Sequence, residues 1–184
     1  MRYAIFVFLL ITIPNNLEAQ QIFFYLLDKP DNELWQIFLK TIKKQGLVSS
    51  VYMGNRNLEE HLRLITQINS KKKGLFIAMD VKKREKFGLF VGVFKPKKPE
   101  GKIARIDEIP YVHFELSNKI AESIAASYNK RVVKLPLFPM LGVDMPAIYI
   151  KISGEKRDIE KLAGDINEVI RKYAVEDNFY ETRW

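Results

Sequence analysis

The run Leu75-Phe76-Ile77-Ala78-Met79 carries no polar side chain until it ends on Asp80. Successive side chains of a strand point to opposite sides of a sheet. A run apolar at every position therefore fits a strand covered on both faces. The same holds for Phe87 to Phe94, FGLFVGVF. A sheet covered on both faces needs helices above and below it, and the chain supplies them in alternation with its strands.

Gln21 to Leu27, QIFFYLL, reads as a first strand closed by the turn residues Asp28-Lys29-Pro30-Asp31. Leu34, Trp35, Phe38, Leu39 and Ile42 then form an apolar stripe at helical spacing, with Asp31 or Asn32 as cap and Gly46 as terminator. Leu47 to Met53 reads as a second strand and Gly54-Asn55 as a turn. Asn57 caps a predicted helix over Leu58 to Ile68, and the strand LFIAMDV follows a lysine-rich turn. Beyond the loop Lys95 to Gly101, Ser117 is positioned to cap a helix to Tyr128. Leu135 to Met140 is extended and proline-interrupted, an edge or a loop. Pro146 to Ile152 reads as a strand, and Arg157 to Tyr173 as a helix with Ile159, Leu162, Ile166, Val169 and Ile170 inward. The expected fold is an α/β three-layer sandwich, with a mostly parallel twisted sheet between helices.

At 184 residues and 47% hydrophobic content, the chain suits one domain with a proper core. Residues 20–184 read as that domain, with an irregular tail over 174–184. The first nineteen residues stand apart. Arg2 precedes the apolar run Ala4 to Ile13, which has the length of a signal-peptide core and is too short to span a bilayer. Leu17-Glu18-Ala19 offers a cleavage site after Ala19. Export to a bacterial periplasm or cell exterior is the expectation, the alternative being an N-terminal core strand. The absence of cysteine excludes disulfides, thiol catalysis and thiolate zinc sites. A net charge of +8 favours polyanionic partners, which for an exported chain means anionic glycans or lipid headgroups rather than nucleic acid.

No glycine-rich phosphate loop and no Gly-x-Ser-x-Gly elbow occurs. Of the two histidines, His61 reads as part of a solvated helix face. His113 and Glu115 would share one face of an extended segment, two ligands where a zinc site needs three or four. Asp80, at the end of a buried strand, occupies the kind of position where α/β proteins keep their chemistry. Lysines cluster at 71–73, at Lys82, Lys83, Arg84 and Lys86, and at Lys95, Lys97, Lys98 and Lys102, so that some could converge at one edge of the sheet.

Three segments in one order resemble the zinc-dependent N-acetylmuramoyl-L-alanine amidases, which cut peptidoglycan between the lactyl group of muramic acid and L-alanine. Leu141 to Gly154, LGVDMPAIYIKISG, with the helix KLAGDINEVIRKY, is similar to that family's closing unit of "PA" dipeptide, strand, turn and helix. Asn57 to Asn69 followed by LFIAMDVK resembles its "L.eR..lAN" helix and "lfiSiHaN" strand. Gly88 onward with SNKIAESI resembles its "G.e.y" strand and "S..lA..i" helix.

The resemblance implies that Asp80 stands where the family has a zinc-binding histidine, and Lys151 where it has the catalytic glutamate. The "DPGHGG" histidine has no counterpart in DKPDNE, and the metal-binding glutamate matches Glu33. Such an amidase polarises the amide with zinc and moves the proton with glutamate. A charged lysine accepts no proton, so the resemblance implies a dismantled catalytic centre.

The chain thus reads as an exported, catalytically inactive amidase-like domain. Its expected partner is peptidoglycan or another envelope polyanion, held by Lys82, Lys83, Arg84 and Lys151, or else a cell-wall hydrolase or envelope protein. No cofactor is expected. Two alternatives stand beside it: a divergent zinc amidase using His113, Glu115 and Asp80, and a structural envelope subunit.

Overall fold

A computed structural model describes residues 21–54, 57–71 and 74–176, without the side chains of 174–176. The signal-peptide reading of residues 1–19, Lys72 and Lys73, and the tail from residue 177 lie outside the described residues.

The elements run β1 (Gln21–Leu26), α1 (Asn32–Lys44), β2 (Val48–Met53), α2 (Leu58–Asn69), β3 (Leu75–Lys83), β4 (Gly88–Phe94), α3 (Phe114–Ala126), β5 (Val133–Leu135), β6 (Ala147–Gly154) and α4 (Lys156–Glu176). They build one six-stranded sheet in the order β2-β1-β3-β6-β4-β5. The strands β2, β1, β3 and β6 are mutually parallel, while β4 runs antiparallel to β6 and carries β5 parallel to itself. The link from β3 to β4 is too short for the crossover that parallel strands require, so β4 must come back in the opposite direction. It returns on the far side of β6, which fills the gap between them.

Alternation along β1 and β3 sorts their side chains into two cores. Ile22, Phe24, Leu26, Ile77 and Met79 face α1, α3 and α4, packing with Phe38, Ile120, Ile124, Leu162 and Ile166. Phe23, Tyr25, Phe76 and Ala78 face α2 and the segment before β6, packing with Ile65, Ile68, Met140 and Val143. Phe24 meets Trp35 and Phe38 edge-on, with ring centroids 5.6 and 5.3 Å apart. Each fully buried aromatic of this kind contributes roughly 2–3 kcal/mol by removal from water. The layers are unequal, with three helices on one face and α2 on the other.

Local sequence fixes the helix starts. Asp31 caps α1 by accepting from the Leu34 N–H at 3.1 Å, and Asn57 caps α2 through the N–H groups of Glu59 and Glu60. Helix α3 departs from the expectation. It begins at Phe114, directly after a 3-10 turn at Ile109–Tyr111 that contains Pro110, and Ser117 lies inside it. The Ser117 hydroxyl donates to the His113 carbonyl at 2.7 Å and accepts the Ala147 N–H at 2.9 Å. It ties α3 to the first residue of β6 and caps nothing. Helix α4 runs on to Glu176, so the first residues of the expected irregular tail are helical. The proline-interrupted stretch after Val133 resolves into the short edge strand β5 and a 3-10 turn at Phe138–Met140.

Candidate functional site

Asp80 and Lys151 sit directly opposite one another on the neighbouring parallel strands β3 and β6. Asp80 lies on the α2 side of the sheet, two residues beyond Ala78 along β3, which runs on to Lys83. Its side chain is 8% exposed. One carboxylate oxygen meets Lys82 Nζ at 3.3 Å and Lys151 Nζ at 3.7 Å, both lysines being about half exposed. One buried carboxylate thus faces two ammonium groups.

Two aromatic rings border it. Phe90 of β4 is the register partner of Lys151, and Tyr149 stands one step back along β6 on the same face. Their centroids are 5.7 Å apart in an edge-to-face pair. Burial pushes the Tyr149 phenol above its ordinary range, and the negative charges of Asp80 and Asp28 add to the shift. Tyr149 is therefore a neutral hydrogen-bond donor at physiological pH. The cluster offers cations, a donor and apolar ring faces, a combination suited to holding an anionic or hydroxyl-bearing ligand.

The remaining residues named from sequence divide between two ends of the sheet. Lys82 joins Asp80, whereas Lys83 points to the other face and pairs with Glu33 at 3.1 Å. The Glu33 contact raises the Lys83 ammonium above its usual range. Glu33 is thereby separated from Asp80 by the thickness of the sheet. Arg84 lies past the strand, its N–H donating to the Gly154 carbonyl. His113 and Glu115 are not on a shared strand face, because the backbone turns helical at Phe114. His113 Nε2 lies 3.2 Å from Asp144, just before β6 begins, while Lys151 is four residues beyond the first residue of that strand. At ~3.3 Å per residue the strand segment from Ala147 to Lys151 alone separates them by about 13 Å. Burial lowers the His113 pKa, and the Asp144 carboxylate opposes that shift. No group of three or more His, Asp or Glu side chains is placed to hold a metal ion among the described residues.

The lysine clusters also separate. Lys82 to Lys86 mark the end of the sheet that holds Asp80, whereas Lys95 to Lys102 follow the antiparallel β4 and so lie at the opposite end. A cleft of about 320 Å³ opens there, lined by Asn69, Lys102, Glu108 and Asp144 among others.

His61 was missed as a structural residue. It is fully buried, not on a solvated face. Its Nδ1 lies 2.7 Å from the Tyr25 hydroxyl and its Nε2 3.1 Å from the Leu141 carbonyl. The carbonyl can only accept, so Nε2 carries the proton and Nδ1 accepts from tyrosine. The signal was present in the sequence: His61 stands at i−4 and i−7 from Ile65 and Ile68, on the inward stripe of α2.

The fold is that of solved N-acetylmuramoyl-L-alanine amidases. The apo N-acetylmuramyl-L-alanine amidase of Mycobacterium abscessus superposes with a TM-score of 0.54 at 10% identity, over 85% of this chain and 99% of that one. The corresponding amidase of Mycobacterium smegmatis gives 0.50 at 11% identity, over 86% and 99%. At such identities the likeness is one of fold. No protein-family model matches the sequence, and no curated protein matches it.

Proposed function

We propose that the protein is an exported amidase-like domain that binds peptidoglycan or a partner in the cell envelope without hydrolysing it. The observation that carries this reading is the ion pair of Asp80 with Lys151 across β3 and β6, three residues before each strand ends. By the family resemblance these are a zinc ligand position and the general-base position. A lysine ammonium beside a carboxylate repels a divalent cation and has no lone pair with which to take a proton from water. What the pair can do is bind. Lys82 and Lys151 present positive charge beside Phe90 and Tyr149, and peptidoglycan offers carboxylates and sugar rings to such a surface. The partner is an envelope component: the polymer itself, or a cell-wall hydrolase under regulation.

The test has two parts. The full-length protein is incubated with zinc, freed of loosely bound ion and assayed for metal. Purified sacculi are then mixed with the parent and with Lys151→Ala. The expected result is no retained zinc, and sacculus binding that weakens in the variant. Stoichiometric zinc together with release of peptides from sacculi would overturn the reading in favour of a rearranged amidase.

A further inference from the structure

We propose that the loop over residues 95–107 is a docking surface for an anionic lipid bilayer, separate from the Asp80 cluster and at the other end of the sheet. The loop leaves β4 beside the start of β6, and its two limbs are pinned together. The Lys95 N–H donates to the Leu135 carbonyl at 3.0 Å and the Lys97 N–H to the Asp107 carbonyl at 3.3 Å. Lys97 Nζ and Arg105 Nε both reach the Asp107 carboxylate, at 2.9 and 3.5 Å. The Arg105 N–H is held by the buried Glu108 carboxylate at 2.8 Å. This clamp fixes how the loop tip is presented.

At the tip stands Ile103, 87% exposed, between Lys102 and Arg105. Lys95, Lys98 and Lys102 are exposed and have no ion pair among the described residues, so their charge is directed outward. An exposed aliphatic side chain on a loop that carries Lys95, Lys97, Lys98, Lys102 and Arg105 against the acidic Glu100 and Asp107 matches one chemical environment closely. The lysines meet headgroup phosphates while the isoleucine enters the acyl boundary beneath them. A polyanionic glycan would engage the lysines equally well but would give the isoleucine nothing to bury against.

Flotation of the full-length protein with vesicles tests this, comparing phosphatidylcholine alone with phosphatidylcholine mixed with phosphatidylglycerol. The parent is expected to float with the mixed vesicles only. Ile103→Ser should weaken that binding about tenfold, the worth of burying one such side chain. Lys98→Gln should weaken it about fivefold, and added salt should act in the same direction. Both side chains are exposed, so circular dichroism should be unchanged in each variant. Equal flotation of parent and Ile103→Ser would assign membrane binding to another segment, residues 4–13 included, and would overturn the proposal. Failure of the parent to float with the mixed vesicles would also overturn it, whether or not the parent binds sacculi, because sacculus binding is already expected at the separate Lys151 surface.

Discussion

Asp80 and Lys151 are register partners on adjacent parallel strands, and their charged groups lie 3.7 Å apart at the end of the sheet. Because Lys82 approaches the same oxygen from two residues along β3, the carboxylate keeps a cation when either lysine is removed. The consequence is a strongly non-additive pair. Lys82→Ala and Lys151→Ala should each cost about 1 kcal/mol or less, since both side chains are half in water. The double variant leaves an uncompensated buried carboxylate and should cost about 3 kcal/mol or more. A double-mutant cycle by urea denaturation checks this, and simple additivity would refute it.

His61 gives the protein a pH dependence of defined sign. Burial holds its pKa below the ordinary 6.5, only partly offset by the hydrogen bond to Leu141, and burial lowers His113 as well. The unfolded chain therefore binds more protons than the folded one below about pH 6.5. Stability should be complete above that value and fall as pH drops through it toward the depressed folded-state pKa values. In His61→Gln the slope of stability against pH between 5 and 7 should become shallower, at a baseline cost of about 2 kcal/mol from the broken hydrogen bonds. A slope unchanged from the parent would remove His61 from this role.

The two helix caps offer a local test. Asp31→Ala removes the acceptor of the Leu34 N–H and should lower stability by about 1 kcal/mol. Asp31→Ser should restore most of it. Thermal melts of the three proteins distinguish a cap from a merely charged surface residue.

Two glycines should respond in opposite directions to alanine. Gly142 has φ +76° and a Cβ there would lie 3.1 Å from Ile106, so Gly142→Ala should destabilise by about 1–2 kcal/mol. Gly164 lies in the interior of α4 with its nearest neighbour, Gln45, 3.9 Å from the added methyl. Gly164→Ala should stabilise by about 0.5–1 kcal/mol. Melting temperatures that move the same way would contradict this.

Local chemistry made much of the architecture readable in advance. Continuous apolar runs announced β3 and β4, the stripes of α1 and α4 were explicit, and Asp31 and Asn57 cap the helices they precede. Ser117 misled because a serine before an apolar stripe looks like a cap, and only the distant Ala147 N–H explains its placement inside α3. His61 misled because two flanking glutamates suggested water, while the helical period placed it inward. For the candidate site, strand alternation already divides neighbouring residues between the two faces, but the sequence did not show that β3 runs past Asp80 to Lys83. Lys82 and Lys83 are adjacent in the chain and divided by the sheet. The separation of His113 from Asp80 follows from the direction of β6, which no local pattern encodes.

The unequal helical layers divide the labour of the sheet. Residues facing α1, α3 and α4 are locked to many neighbours, and a change there is felt throughout the core. Around the buried Asp80, the strands have packed helices on one side, while on the other Lys151 is exposed and Phe90 and Tyr149 are partly so. Side chains at that end can be exchanged while the three-helix face goes on holding the strands in register, so what the surface recognises is free to drift while the fold stays put.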